Sequence, residues 1–183
     1  MPRYVSCTSV VGNCTIKIMA SKEFKKIILD NLNERLKPIG YKKSGTTFKK
    51  VTADMTYFIN VQSSRDSTAQ TLKTTLNLEI ASSTIANNED TSLPMEHRRH
   101  WTARIGFLLD KPIDKWWTIS NDNEADEAAK EIIDIIENRA LVEFNQLKTT
   151  RDLVDLWRNN KCPGLTEKQR VWYLTLADSI NIV

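Results

Sequence analysis

The chain has 183 residues, 40% hydrophobic and 27% charged, which is the composition of a globular protein rather than a disordered one and enough chain to bury a core without a metal or a disulfide. Its longest apolar run, Ile105-Gly106-Phe107-Leu108-Leu109, is far short of the about 20 residues a membrane span needs. The net charge of +3 is uneven: residues 1–50 hold eleven Lys/Arg against three Asp/Glu, net +8, and residues 51–183 hold fifteen against twenty, net −5. Such asymmetry implies either a basic and an acidic face or simply two sets of solvated surfaces. Cys7, Cys14 and Cys162 are odd in number and sparse. With no apolar secretory segment at the N-terminus, they read as reduced thiols of a cytoplasmic protein.

In chain order, residues 1–18 contain no acid and no helical periodicity and read as an N-terminal extension that is poorly ordered and dispensable for folding. A small hairpin turning at Gly12-Asn13 is the alternative. Residues 19–183 read as one α+β domain. Phe24, Ile27, Ile28, Leu32 and Leu36 recur at helical spacing, with Ser21 as the cap and Pro38 and Gly40 as the stop. Strands follow at 46–51, 54–62 and 70–81, the last with Leu72, Thr74, Leu76, Leu78 and Ile80 alternating against Lys73, Thr75, Asn77 and Glu79. The polar stretch 82–94 reads as loop, and further strands are predicted over 102–109 and 116–119. Beyond Asn123 and Asp126, the stripe Ala125, Ala129, Ile132, Ile136, Ala140 and Phe144 predicts a helix. Thr150 is the predicted cap of a short helix carrying Leu153, Leu156 and Trp157. Thr166-x-x-Gln169 is a capping box for a last helix, with Val171, Leu174 and Ile180 as its buried side. Strands without βαβ alternation predict an antiparallel sheet of about four to five strands, one face covered by the N-terminal helix and the C-terminal helices.

Several local patterns coincide. They are Leu36-Lys37-Pro38-Ile39-Gly40-Tyr41-Lys42-Lys43 with Phe48, then Ile59-Asn60-Val61-Gln62-Ser63-Ser64, Leu76-Asn77-Leu78, Trp101-Thr102-Ala103-Arg104-Ile105-Gly106 and Lys115-Trp116-Trp117. In this order, over roughly Phe24 to Ile119, the chain resembles the bacterial domain-of-unknown-function family 4304. The resemblance implies a fold and supplies no reaction.

Alternation along the strands sorts side chains by face. Met55, Tyr57, Ile59 and Val61 share one face with Leu72 to Ile80 and with Ala103, Ile105 and Phe107. The other face gathers Phe58, Asn60, Gln62, Asn77, Glu79, Arg104 and Trp116 as a candidate ligand-binding surface, with Gly106 beside it to allow close approach of a ligand or of another backbone. An arginine fork suits a carboxylate or phosphate and exposed aromatics supply stacking area. The plain alternative is a solvated face with Glu79 and Arg104 as a cross-strand pair.

No catalytic motif competes with this surface. His97-Arg98-Arg99-His100 has two histidines three apart, but its arginines repel a cation and no cysteine completes a zinc site; it reads as a basic loop entering a strand. Cys162 has no histidine near it in sequence. The glycines at 12, 40, 45, 106 and 164 make no phosphate loop. No metal and no cofactor is expected. Lysine pairs at 25-26, 42-43 and 49-50 with Tyr41 and Phe48 suggest weak nucleic-acid binding through the basic N-terminal third, but the pI of 8.7 and the acidic stretch 122–137 place that behind a protein partner. The first reading is therefore a non-enzymatic interaction module binding a protein or small ligand through one sheet face. An uncharacterised enzyme, a hydrolase among the options, using Arg104 and Glu79 is the alternative.

Overall fold

A computed structural model describes residues 21–90 and 97–182; the 1–18 segment, with Cys7 and Cys14, lies outside them. The first helix, α1 (Ser21–Leu36), buries Phe24, Ile28, Leu32 and Leu36, a stripe at four-residue spacing. Ser21 is its first helical residue rather than its cap, and the Ser21 N–H donates to the Ala69 carbonyl at 2.9 Å. A 3₁₀ turn, Lys37–Ile39, ends at Gly40, whose φ of 95° is the left-handed conformation that glycine adopts without strain.

Six strands then form one antiparallel sheet: β1 (Lys42–Ser44), β2 (Thr47–Val51), β3 (Met55–Ser63), β4 (Leu72–Ser82), β5 (Trp101–Arg104) and β6 (Trp117–Ile119). The order is β1-β2-β3-β4-β5, and β6 pairs with the other end of the same β4 edge, opposite Leu72–Thr74 while β5 lies opposite Asn77–Ile80. Three-residue β1 is too short to carry an alternation signal, which is why the sequence predicts fewer strands.

Register fixes the two faces. Lys50, Tyr57, Ile80 and Trp101 stand in one cross-strand row, and Phe48, Ile59, Leu78 and Ala103 in the next. This face is covered by α1 and by α3 (Asp122–Ile135), whose Ala125, Ala128, Ala129, Ile132 and Ile135 are buried. A π turn, Ile136–Ala140, joins α3 to α4 (Leu141–Gln146). Phe144 of α4 packs its ring 5.2 Å from Tyr57 and 6.1 Å from Trp101. All six residues of the predicted stripe from Ala125 to Phe144 are buried.

Several expectations fail for identifiable reasons. The stretch read as loop contains a short helix, α2 (Ser83–Asn88), capped by the Ser82 hydroxyl, which accepts from the Ile85 N–H at 3.1 Å. The strand expected to reach Leu109 ends at Arg104 and continues as a 3₁₀ turn over Ile105–Leu108, so alternation stops and Phe107, expected inward, is 52% exposed. Asn121, not Asn123, caps α3. Helix α5 (Thr150–Arg158) is capped by Thr149. In α6 (Glu167–Ser179) the Thr166/Gln169 capping box forms, but Tyr173 and Ala177 are the buried pair. Val171 lies two residues away, about 200° round the helix, and is exposed.

The two C-terminal helices pack on each other and on α2, with the Trp157 and Tyr173 rings stacked at 5.2 Å. Two polar knots tie them to the sheet. Asp54, in the β2–β3 turn, accepts from the Thr150 N–H at 2.6 Å, from the Thr150 hydroxyl and from the Thr84 hydroxyl at 2.9 Å. Burial pulls this carboxyl up, but the Thr150, Thr84 and Ser83 donors outweigh it and hold its pKa below the usual value. In the second knot, fully buried His100 accepts the Ser82 N–H at its Nδ1 (2.8 Å) and therefore carries its proton on Nε2, 2.9 Å from Glu89. Both ring nitrogens are thus engaged, and His97 is exposed at the start of the segment. Tyr173 also reaches Glu89, and burial with the Glu89 charge pushes its phenol up to about 12.

Candidate functional site

The face of the sheet left open among the described residues is set by the same register. Lys49, Phe58, Glu79 and Thr102 form one row, and Thr47, Asn60, Asn77 and Arg104 the next, with Gln62 opposite Thr75. Six of the seven candidate residues therefore share one face, and Trp116, just ahead of β6, joins them through Arg104, whose guanidinium carbon is 5.2 Å from its ring centroid.

The side chains are linked in pairs rather than left free. Asn77 Nδ2 donates to Gln62 Oε1 at 2.7 Å, and Asn60 Nδ2 donates to the Thr47 and Thr46 hydroxyls at 2.8 and 3.2 Å. Phe58, expected as an exposed aromatic, is 6% exposed. Arg99 lies 3.7 Å above its ring and Lys49 approaches at 5.8 Å, so cation–π contacts roof it. The expected Glu79–Arg104 pair does not form. Glu79 pairs with Arg99, and Arg104 pairs with Asp114 at 2.6 Å. Asp114 also accepts from the Trp116 indole N–H at 3.1 Å; the Arg104 and Trp116 donors hold its pKa below the ordinary value. Lys73 stands 5.7 Å from the Trp116 ring and pairs with Asp66 at 2.9 Å.

Gly106 is buried, not open to a ligand. A Cβ there would come within 2.3 Å of the Ile113 carbonyl oxygen, so the close approach that this glycine permits is by another stretch of backbone. The strap it admits also reaches the sheet, where the Thr75 hydroxyl donates to the Lys115 carbonyl at 2.8 Å.

Beside this array lies a cleft of about 530 Å³ floored by Asn77, Glu79 and Arg104. Exposed Phe107 bounds one side and Pro163-Gly164, the link between α5 and α6, the other. The Thr102 N–H donates to the Pro163 carbonyl at 3.2 Å. Gly164, at φ 76°, presses so close that a Cβ would sit 1.7 Å from the Thr102 hydroxyl; only glycine fits there. Sequence reading missed Arg99, Asp114, Phe107 and this link as parts of the site, because all lie outside the alternating strands. The Trp116–Asp114 spacing of two residues was the only local hint.

The arrangement offers fixed hydrogen-bonding groups, planar cations and one apolar wall. Glu79 and Arg104, the acid and arginine that the enzymatic alternative uses, pair with Arg99 and Asp114 rather than with each other. Among the described residues of the basic N-terminal third, the lysines of β2 do not gather on one face. Lys49 and Lys50 point to opposite faces of β2, and Phe48 and Tyr41 are 0% and 3% exposed, so neither aromatic can stack a base. Among the described residues no three His, Cys, Asp or Glu side chains group as a metal site, and no helix is long and apolar enough to cross a membrane. Against known proteins, a family model described as "Domain of unknown function (DUF4304)" matches residues 32–146, running from α1 through α4. Neither the curated proteins nor the solved structures give a match.

Proposed function

The chain belongs to the DUF4304 family, which is described only as a domain of unknown function, and on that premise we propose that it is a non-enzymatic interaction module. It takes a protein partner across the open face of its sheet, in the cytoplasm. The observation that carries this reading is the cleft between Phe107 and Pro163-Gly164, with the Asn60–Asn77–Arg104 row leading into it. An extended segment laid there would set an apolar side chain against Phe107 and its carbonyls or carboxylates against the amides and Arg104. Arginine and aromatic residues around a partly polar depression are the usual ingredients of interface hot spots. Charge on the face is nearly balanced by Glu79, Asp114 and Asp66, which favours a protein over nucleic acid.

Co-purification tests the reading. The tagged full-length protein, Arg104→Ala and Phe107→Ser are compared by mass spectrometry of what each retains. A partner retained by the parent and lost from both variants, with their melting curves unchanged, supports the proposal. A partner retained equally by all three sinks it.

A further inference from the structure

On the other side of the sheet, where the covered face meets α4, there is a second cavity of about 330 Å³, at the small end of the roughly 300–1,000 Å³ typical of ligand sites. It shares no residue with the open face. One wall is the cross-strand pair Lys50 and Tyr57 with Tyr41 beside them; the other is α4 with Lys148, two residues past its end.

Lys50 is out of place by pattern. Alternation from Phe48 puts it on the covered, mostly apolar face, and there it is half-buried. Among the described residues neither Lys50 nor Lys148, which faces it from the α4 side, has an ion-pair partner. Asp152, close in sequence to Lys148, is already accepting the Lys148 and Thr149 N–H groups at 2.8 and 2.7 Å. The Tyr41 ring is buried with the Lys50 ammonium 5.8 Å from its centroid, and its hydroxyl, which is not sealed from solvent, has no hydrogen-bond partner among the described residues. Burial, with the Tyr57 phenol nearby, raises its pKa far above the ordinary tyrosine value, so it stays a neutral donor. Tyr57 directs its own hydroxyl to the Leu147 carbonyl at 2.9 Å, leaving its ring and that of Phe144 as an apolar floor.

The helical wall is arranged for this. Leu141, Phe144 and Asn145 recur at three- and four-residue spacing and so share one side, and Lys148, two residues past the end of α4, adds to the lining. The π turn Ile136–Ala140 immediately precedes them and sets which way that side points; such turns are frequent at functional sites.

We infer that this cavity is a binding site for a small organic anion, a carboxylate carried on a flat apolar body. The Lys50 and Lys148 ammonium groups and the Tyr41 hydroxyl hold the carboxylate, and Tyr57, Phe144 and Leu141 hold the body.

Benzoate is the probe, with benzylamine and inorganic phosphate as controls, titrated into the full-length protein and followed by thermal shift and by the aromatic proton resonances of Tyr57 and Phe144. Saturable binding of benzoate, with shifts at both rings and no such response to either control, is the expected result. Lys148→Ala, on an exposed residue, weakens it roughly tenfold, as loss of one charge-assisted contact implies; Tyr41→Phe weakens it less, and Arg104→Ala leaves it unchanged. No saturable response to benzoate overturns the inference. So does an affinity that Lys148→Ala and Lys50→Ala both leave intact, or a phosphate response equal to that of benzoate.

Discussion

The two faces of the sheet solve the same problem by different chemistry. On the covered face, rows such as Phe48–Ile59–Leu78 are 0% exposed and gain stability from apolar area removed from water. On the open face, the corresponding rows are amides, charges and one roofed aromatic, each with a partner that water could replace at little cost. A side chain on the first face has no substitute for its neighbours. One on the second can exchange its neighbour for an incoming ligand. That exchangeability, rather than any reactive group, is what the binding role proposed for the open face rests on.

The sharpest way to break this contrast is at its buried end. Trp101, 1% exposed and packed edge-on to Phe144, should cost about 3–5 kcal/mol when replaced by alanine, read from urea unfolding. A loss no larger than that of an open-face variant would erase the distinction.

An intermediate effect is expected at Asp54, which belongs to neither face but joins the β2–β3 turn to the starts of α2 and α5. Asp54→Ala strips the Thr150 and Thr84 donors of their acceptor and should cost about 1–3 kcal/mol. The pH dependence follows from the lowered carboxyl pKa. Because the folded protein binds this proton less readily than the unfolded chain, the contribution is fully present above the ordinary carboxylate range. It is lost as pH falls through that range to the folded value. Acid melts of the parent should therefore fall more steeply there than those of Asp54→Asn, and parallel curves would show that the knot is inert.

The smallest effect belongs to the open face. Glu79→Gln weakens the Arg99 pair, whose side chains are 20% and 26% exposed, and should change stability by no more than about 1 kcal/mol. A larger loss would mean that Arg99 depends on this acid to stay over Phe58, and the face would then be structural after all.

Much of this was readable from the chain, and the limit falls where periodicity ends. Helix α1, the long strands and the stripe from Ala125 to Phe144 are specified by spacing alone. So is the sharing of one face by Phe58, Asn60, Gln62, Asn77, Glu79 and Arg104, because period two leaves no choice once the opposite side is apolar. Which of these side chains pair was not readable. Arg99 and Asp114 sit in irregular segments whose direction depends on tertiary packing, so the Glu79–Arg104 pairing was a reasonable inference from the strands and was wrong. The same limit hid Lys50: its place in the alternation was visible, but a lone lysine on an apolar face is ordinarily read as a strand-edge residue reaching water.

The way β5 and β6 divide one side of β4 has a bearing on crowding. A sheet that ends in a long straight strand presents main-chain donors and acceptors on which a second molecule can grow a ladder, and proteins avoid this by shortening, charging or covering such strands. Here one end is the three-residue β1, with Lys42 and Lys43 exposed. The other is split between four- and three-residue strands, with the Thr102 N–H already bonded to Pro163. Among the described residues neither end offers a copy of this chain a long run of free backbone on which to grow a ladder, which is the arrangement that lets a polar sheet face stay open without inviting edge-to-edge self-assembly.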